Sequence, residues 1–134
     1  MKRLNVLDLL DATQTFEQKF NLALIYSGLR LPQYRVMDFL EKSGKITVSD
    51  LSRQYNVSRA TISVLVNELI RVGIVTRIKN RTDKRSFYIK LSDSGLQRLE
   101  TARQEINIVE DKISQTLPDE LVNLLNNFSS GIRQ

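Results

Sequence analysis

The chain contains neither cysteine nor histidine, and these two gaps remove more chemistry than any residue present supplies. Without thiols there can be no disulfide, thiolate metal site or cysteine-based redox switch, although secretion is neither required nor excluded. Without imidazole the commonest metal ligand and the usual general base near neutral pH are missing, which leaves carboxylates, lysines and tyrosines. No carboxylate pair such as Glu105 and Glu110 has a companion nucleophile, a glycine-rich phosphate loop or a metal set, and on a helix such charges face solvent. A protein that is not an enzyme, with no cofactor and no metal, is the expectation. Long apolar runs are missing too. None approaches the roughly 20 residues that span a bilayer, Asp8 interrupts the apolar N-terminus, and no small-residue cleavage site follows it. These features predict a soluble, cytoplasmic protein, and 134 residues suit one structural domain.

What is present is charge of one sign in one place. The net charge is +5, but from Arg30 to Lys90 there are 13 Lys/Arg against 5 Asp/Glu, and elsewhere 7 against 10. A basic block of this kind marks a surface that faces a polyanion, because neutralising phosphates releases counterions. An ordinary solvated face is the alternative that charge alone leaves open.

Apolar periodicity places the elements. Val6, Leu9, Leu10, Phe16, Phe20, Ala23 and Leu24 recur at three- and four-residue steps and predict a helix from about Asn5 to Tyr26, ended by Gly28. Pro32 suits the first turn of a second helix that stops at Ser43-Gly44. Ile46 can form a brief strand. Thr47, three residues before Asp50, caps a third helix over Val48 to Tyr55, and Asn56 is a left-handed turn residue. Ser58 caps a fourth helix to Val72, with Ile62, Leu65, Val66 and Leu69 inward and Gly73 closing it. The period then changes from 3.6 to 2 over Ile74–Lys79 and Ser86–Leu91, a hairpin whose tip is Asn80–Arg85. Ser92 caps a long helix, which Pro118 breaks before a last helix carrying Leu121, Leu124, Leu125 and Phe128. The expected fold is mainly α with a small β-hairpin.

Two short helices meeting across a tight turn form a helix-turn-helix, whose second helix enters the major groove of DNA. The outward residues of that helix are Arg59, Ala60, Ser63, Val64, Asn67 and Arg71. Arginine can bind guanine bidentately, Ser63 and Asn67 can donate or accept, and Ala60 or Val64 can pack on a thymine methyl. Ser58 and Thr61 sit where free N–H groups and the helix dipole favour a phosphate, although simple capping also accounts for Ser58. The hairpin adds Arg77, Lys79, Arg81, Lys84 and Arg85, and a protruding arginine fits a narrow minor groove. Asp83, the lone acid there, is expected to orient one of these arginines by a charge-assisted bond.

The ordered set Leu31–Val36, Ile46–Leu51, Val57–Ser63, Arg81–Arg85 and Leu91–Gly95 resembles the successive motifs of the multiple-antibiotic-resistance regulator (MarR) family of winged helix-turn-helix proteins. That resemblance implies a double-stranded DNA-binding transcription regulator, a repressor by family analogy. It implies a homodimer joined by its terminal helices on a pseudo-palindromic operator, and Asp83 and Arg85 as the wing's Asp-x-Arg pair. Residues 31–94 would be the DNA-binding lobe, with residues 1–30 and 95–134 the dimerisation region. Two positions depart from the family pattern. Val64 stands where members often carry arginine, and Asn80 where many carry aspartate. Surplus apolar residues in the terminal helices, Phe16, Phe20, Ile113, Leu121, Leu124, Leu125 and Phe128, favour the dimer independently. Members that respond to a small anionic or phenolic effector take it between the dimerisation helices and the DNA-binding lobe. Here Tyr26, Tyr34, Arg30 and Arg35 gather near that junction, either to line such a site or to form an aromatic hinge. A winged-helix protein-interaction module, its basic hairpin meeting an acidic partner, is the competing reading.

Overall fold

The computed structural model describes residues 1–132, so the end of the predicted 95–134 region, residues 133 and 134, lies outside the described residues. The elements follow the predicted order: α1 (Val6–Ala23), α2 (Leu31–Ser43), β1 (Ile46–Thr47), α3 (Val48–Tyr55), α4 (Arg59–Arg71), β2 (Val75–Lys79), β3 (Phe87–Leu91), α5 (Asp93–Thr116) and α6 (Asp119–Ile132). This is a mostly helical fold with a three-stranded antiparallel sheet of order β1-β3-β2. β1 extends the predicted hairpin through the pairs Ile46 with Ile89 and Thr47 with Tyr88.

Side-chain caps decide where several helices begin. Asn5 accepts from the N–H groups of Leu7 and Asp8, Thr47 from Asp50, Ser58 from Thr61 and Ser92 from Gly95, each satisfying a donor that the first helical turn cannot pair internally. The start of α2 borrows from another element, since Leu31 N–H donates to the Asn21 side chain of α1 at 2.8 Å. α1 ends at Ala23, earlier than the predicted Tyr26. Leu24 and Leu29 must both be buried, and a turn ending at Gly28, with φ of 68°, swings the chain round to bury them.

The core is built from Leu24, Met37, Leu40, Leu51, Leu69, Ile89 and Leu99, all essentially without exposure. Ile74 belongs to this core and not to β2. It packs at the bend where Gly73 leaves α4, and its carbonyl accepts from Ser92 N–H at 2.9 Å. Gly95 lies against that same carbonyl, so closely that a Cβ there would stand 2.2 Å from the Ile74 oxygen. Thus the first turn of α5 is seated directly on the entry to the hairpin. α5 is also fastened to α2, because Arg103 donates to Asp38 at 2.7 Å and to Glu41 at 2.6 Å. Burial pushes the Asp38 carboxyl upward, but the hydrogen bonds and charges of Arg103 and Lys42 outweigh it and hold it below the usual aspartate value. Among the described residues no helix is long and apolar enough to cross a membrane.

Candidate nucleic-acid interface

α4 packs Ile62, Val66 and Leu69 into the core, and that commitment turns its opposite face to solvent. Arg59, Ala60, Thr61, Val64, Asn67 and Arg71 are exposed, while Ser63 is half-buried. Val64 keeps 62% exposure, an apolar side chain that nothing in the protomer covers. At the head of the helix Ser58 Oγ accepts from Thr61 N–H at 3.1 Å and shares a 2.7 Å hydrogen bond with the Thr61 hydroxyl.

The hairpin brings its cations to one side. Arg77, Lys79, Arg81, Lys84 and Arg85 line a single open concavity of about 690 Å³ with Phe87 and Ile78 in its wall. Among the described residues none of these five takes part in an ion pair, and the lone acid Asp83 leaves the tip strongly positive.

The wing tip corrects the expectation for Asp83. Its Oδ1 accepts from the backbone N–H of Arg85 at 3.0 Å, and among the described residues it pairs with no guanidinium. A short carboxylate in a tight turn reaches the amide two residues on with little loss of freedom, whereas fixing an exposed arginine costs rotamer entropy. Asn80, noted above only as a departure, organises the rest of the tip. Its carbonyl accepts from Thr82 N–H at 3.1 Å, Asp83 N–H at 3.2 Å and the Thr82 hydroxyl at 2.7 Å, and its amide donates to Ser86 Oγ at 3.1 Å. Aspartate could supply the acceptor but not that last donor. The signal was an Asn two and three residues ahead of Thr82 and Asp83, a known side-chain-to-backbone turn pattern.

Wing and helix are joined by a contact that sequence reasoning missed. Arg77 Nη2 donates to Asn67 Oδ1 at 3.2 Å, while its guanidinium carbon lies 4.6 Å from the centre of the Phe87 ring. The strand register, which pairs Arg77 with Ile89, would have placed Phe87 as its diagonal neighbour. The link to Asn67 depends on tertiary packing.

The four residues expected at an effector site turn their side chains to different neighbours. Tyr26 is 93% exposed, Arg30 pairs with Glu68 of α4 at 3.2 Å, and Tyr34 lies beside Arg103, where burial and then the Asp38 charge raise its phenol above the ordinary value. Of the four, Arg35 lines a crevice beside α4. It has a volume of about 320 Å³ and is lined by Glu17 and Asn21 of α1, Arg35 and Val36 of α2, Tyr55 of α3, and Thr61, Ile62 and Leu65 of α4. Arg35 stacks over the Tyr55 ring at 4.8 Å, and the Tyr55 hydroxyl donates to the Arg35 carbonyl at 2.9 Å. Glu105, expected to face solvent, is half-buried and accepts from the buried Ser27 hydroxyl at 2.7 Å.

The terminal helices are apolar on their surfaces. No residue of α1 is buried, and Leu121, Leu124, Leu125 and Phe128 of α6 are 39%, 59%, 48% and 58% exposed. Phe16 and Ile113 are half-buried. Phe20 departs from the group, since it packs on the protomer's own core.

Residues 27–86 match the MarR family model. The chain is 26% identical over 120 residues, 90% of its length and 82% of the relative's, to the HTH-type transcriptional regulator FarR of Neisseria gonorrhoeae. Its fold superposes on a mutant MarR from E. coli complexed with operator DNA with a TM-score of 0.84 at 20% identity, covering 92% of this chain and 89% of that one. It also superposes on NadR in complex with 4-hydroxyphenylacetate with a TM-score of 0.77 at 23% identity, covering 98% and 94%. Motif order, fold and relatives agree in likening the chain to the MarR family of winged helix-turn-helix transcription regulators.

Proposed function

We propose that this chain is a cytoplasmic, sequence-specific regulator that binds double-stranded DNA as a homodimer and represses from a pseudo-palindromic operator. The observation that carries the proposal is the junction of α4 and the wing. An exposed face with base-reading chemistry, Arg59 to Arg71, is tied by Arg77 to a concavity lined by five cations, none of them in an ion pair among the described residues. Base edges can be read by the first part, while phosphates and a narrow minor groove hold the second. The exposed apolar faces of α1 and α6 would be covered by a second copy, which sets two recognition helices about one DNA turn apart, roughly 10–10.5 bp.

The crevice beside α4 suits a small aromatic anion. Arg35, held over the Tyr55 ring, supplies the cation, Leu31, Pro32 and Val36 an apolar wall, and Thr61, Ile62 and Leu65 belong to the recognition helix itself, so an occupant touches the element that meets DNA. The neighbour NadR, solved with 4-hydroxyphenylacetate, makes that compound a reasonable first probe.

Gel-shift titration against the chain's own upstream region and a scrambled duplex of equal length tests specificity. Preference for the upstream duplex is expected, and equal affinity for both rejects it. Retention of an acidic protein partner after nuclease treatment, with no duplex preference, would instead support the interaction-module reading.

A further inference from the structure

We propose that Arg77 is a positioning residue for base readout, holding the Asn67 carbonyl so that Asn67 meets DNA with its amide N–H groups alone. The inference rests on the reading that α4 enters the major groove and deepens it by fixing what one position can recognise.

An asparagine amide has a donor end and an acceptor end, and its neighbours decide which faces where. Arg77 settles the matter chemically, because a guanidinium has only donors. The Asn67 atom 3.2 Å from Arg77 Nη2 must be the carbonyl oxygen, and the amide nitrogen is left to turn away from the wing. Arg77 is itself held by the Phe87 ring, 4.6 Å from its guanidinium carbon. Arg77 of β2 therefore links Asn67 of α4, by a hydrogen bond, to Phe87 of β3, by its guanidinium over the ring. Asn67 lies three residues beyond Val64 on the exposed face of α4, within the stretch offered to bases.

The usual asparagine contact in DNA recognition is bidentate to adenine, and it needs the acceptor and the donor of one amide on the same base edge. Arg77 takes one lone pair of the oxygen and holds the amide plane turned towards the wing, and in that rotation Asn67 does not bring both ends onto one adenine edge. What remains is donation to an acceptor, which guanine O6 and N7 or thymine O4 provide. Arg77 thus acts on specificity, which a cation that only meets phosphate would not do.

The test uses the full chain and a randomised duplex pool, selected in parallel with wild type, Asn67→Ala, Arg77→Ala and Arg77→Met. Methionine keeps an apolar stem against Phe87 while removing every donor. Equal melting temperatures confirm that the exposed substitutions leave the fold intact. In wild type, one position per half-site is expected to favour guanine or thymine over adenine, and Asn67→Ala should flatten it. Both Arg77 variants should shift that position towards adenine by about fivefold or more, the low end of bidentate discrimination. If Asn67→Ala flattens the position but the Arg77 variants lose affinity equally on all sequences, the inference is overturned and Arg77 is a phosphate contact, with the groove reading intact. Should Asn67→Ala change no preference at all, Asn67 does not read bases, and both the inference and that part of the reading fall.

Discussion

Replacing Gly95 by alanine ought to stabilise a helix, and in this protein it should do the opposite. In an ordinary helix the exchange gains up to about 1 kcal/mol from propensity and reduced chain entropy. Here the added Cβ would meet the Ile74 carbonyl oxygen at 2.2 Å and its carbon at 3.1 Å, both backbone atoms. A carbon-to-oxygen contact settles at about 3.3–3.6 Å, so α5 and the hairpin entry must part by about 1 Å. The Ser92 N–H bond to that same carbonyl, 2.9 Å long, would then stretch beyond hydrogen-bonding range. Weakening it at a buried acceptor costs about 1–3 kcal/mol. Disturbing the packing of Leu91 and Leu99, both buried, adds about 1–3 kcal/mol. Set against the propensity gain, the net loss is about 1–5 kcal/mol, or roughly 4–20 °C in Tm for a domain of this size. Thermal melts followed by circular dichroism, at matched protein concentration so that association does not confuse the comparison, would measure it. A melting temperature equal to or above wild type would refute the reasoning and mean that the helix start can slide without loss.

Asp38 is held below its ordinary pKa by Arg103 and Lys42, so its contribution is present above about pH 4 and is lost as pH falls through the lowered value. Urea midpoints of wild type and Asp38→Asn should therefore differ at pH 7 and converge in acid, whereas a constant gap would contradict the assignment. Arg85→Ala should weaken binding to cognate and random duplexes alike and flatten the salt dependence. Arg59→Ala should relax preference at one base per half-site by about 1–3 kcal/mol, and equal losses on both duplexes would reject a base-reading role. The double change Leu124→Ser and Phe128→Ser touches side chains exposed in the protomer, so sedimentation should report folded monomers in place of dimers, and unchanged mass would move the interface elsewhere.

Features that depend on neighbours in sequence were legible before the structure. Thr47, Ser58 and Ser92 cap their helices because a short hydroxyl reaches an N–H three residues on, and Asn56 adopts φ of 52° because its side chain tolerates the left-handed region. The change of period after Gly73 marked the hairpin. What escaped depends on residues distant in sequence. Ser27 meets Glu105, Arg103 meets Asp38 and Glu41, and Arg30 meets Glu68, pairings that no spacing rule predicts. Phe20 illustrates a different limit, since a helical apolar stripe looks the same whether it covers its own core or a partner. At the wing, charge count rightly identified a basic tip but mistook Asp83 for an arginine partner, because formal charge says nothing of which group a short side chain can reach. Asn80 was visible as a departure from a family pattern, yet its four hydrogen bonds show that it serves the turn fully.

The central claim is that two copies of α4 and two wings read an inverted repeat. Selection of a randomised duplex pool with the full chain, followed by sequencing, tests it most directly. The account predicts enrichment of a pseudo-palindrome with half-site centres about 10–10.5 bp apart, and recovery of basic-surface binding with no enriched motif, or of a single unrepeated half-site, would contradict it.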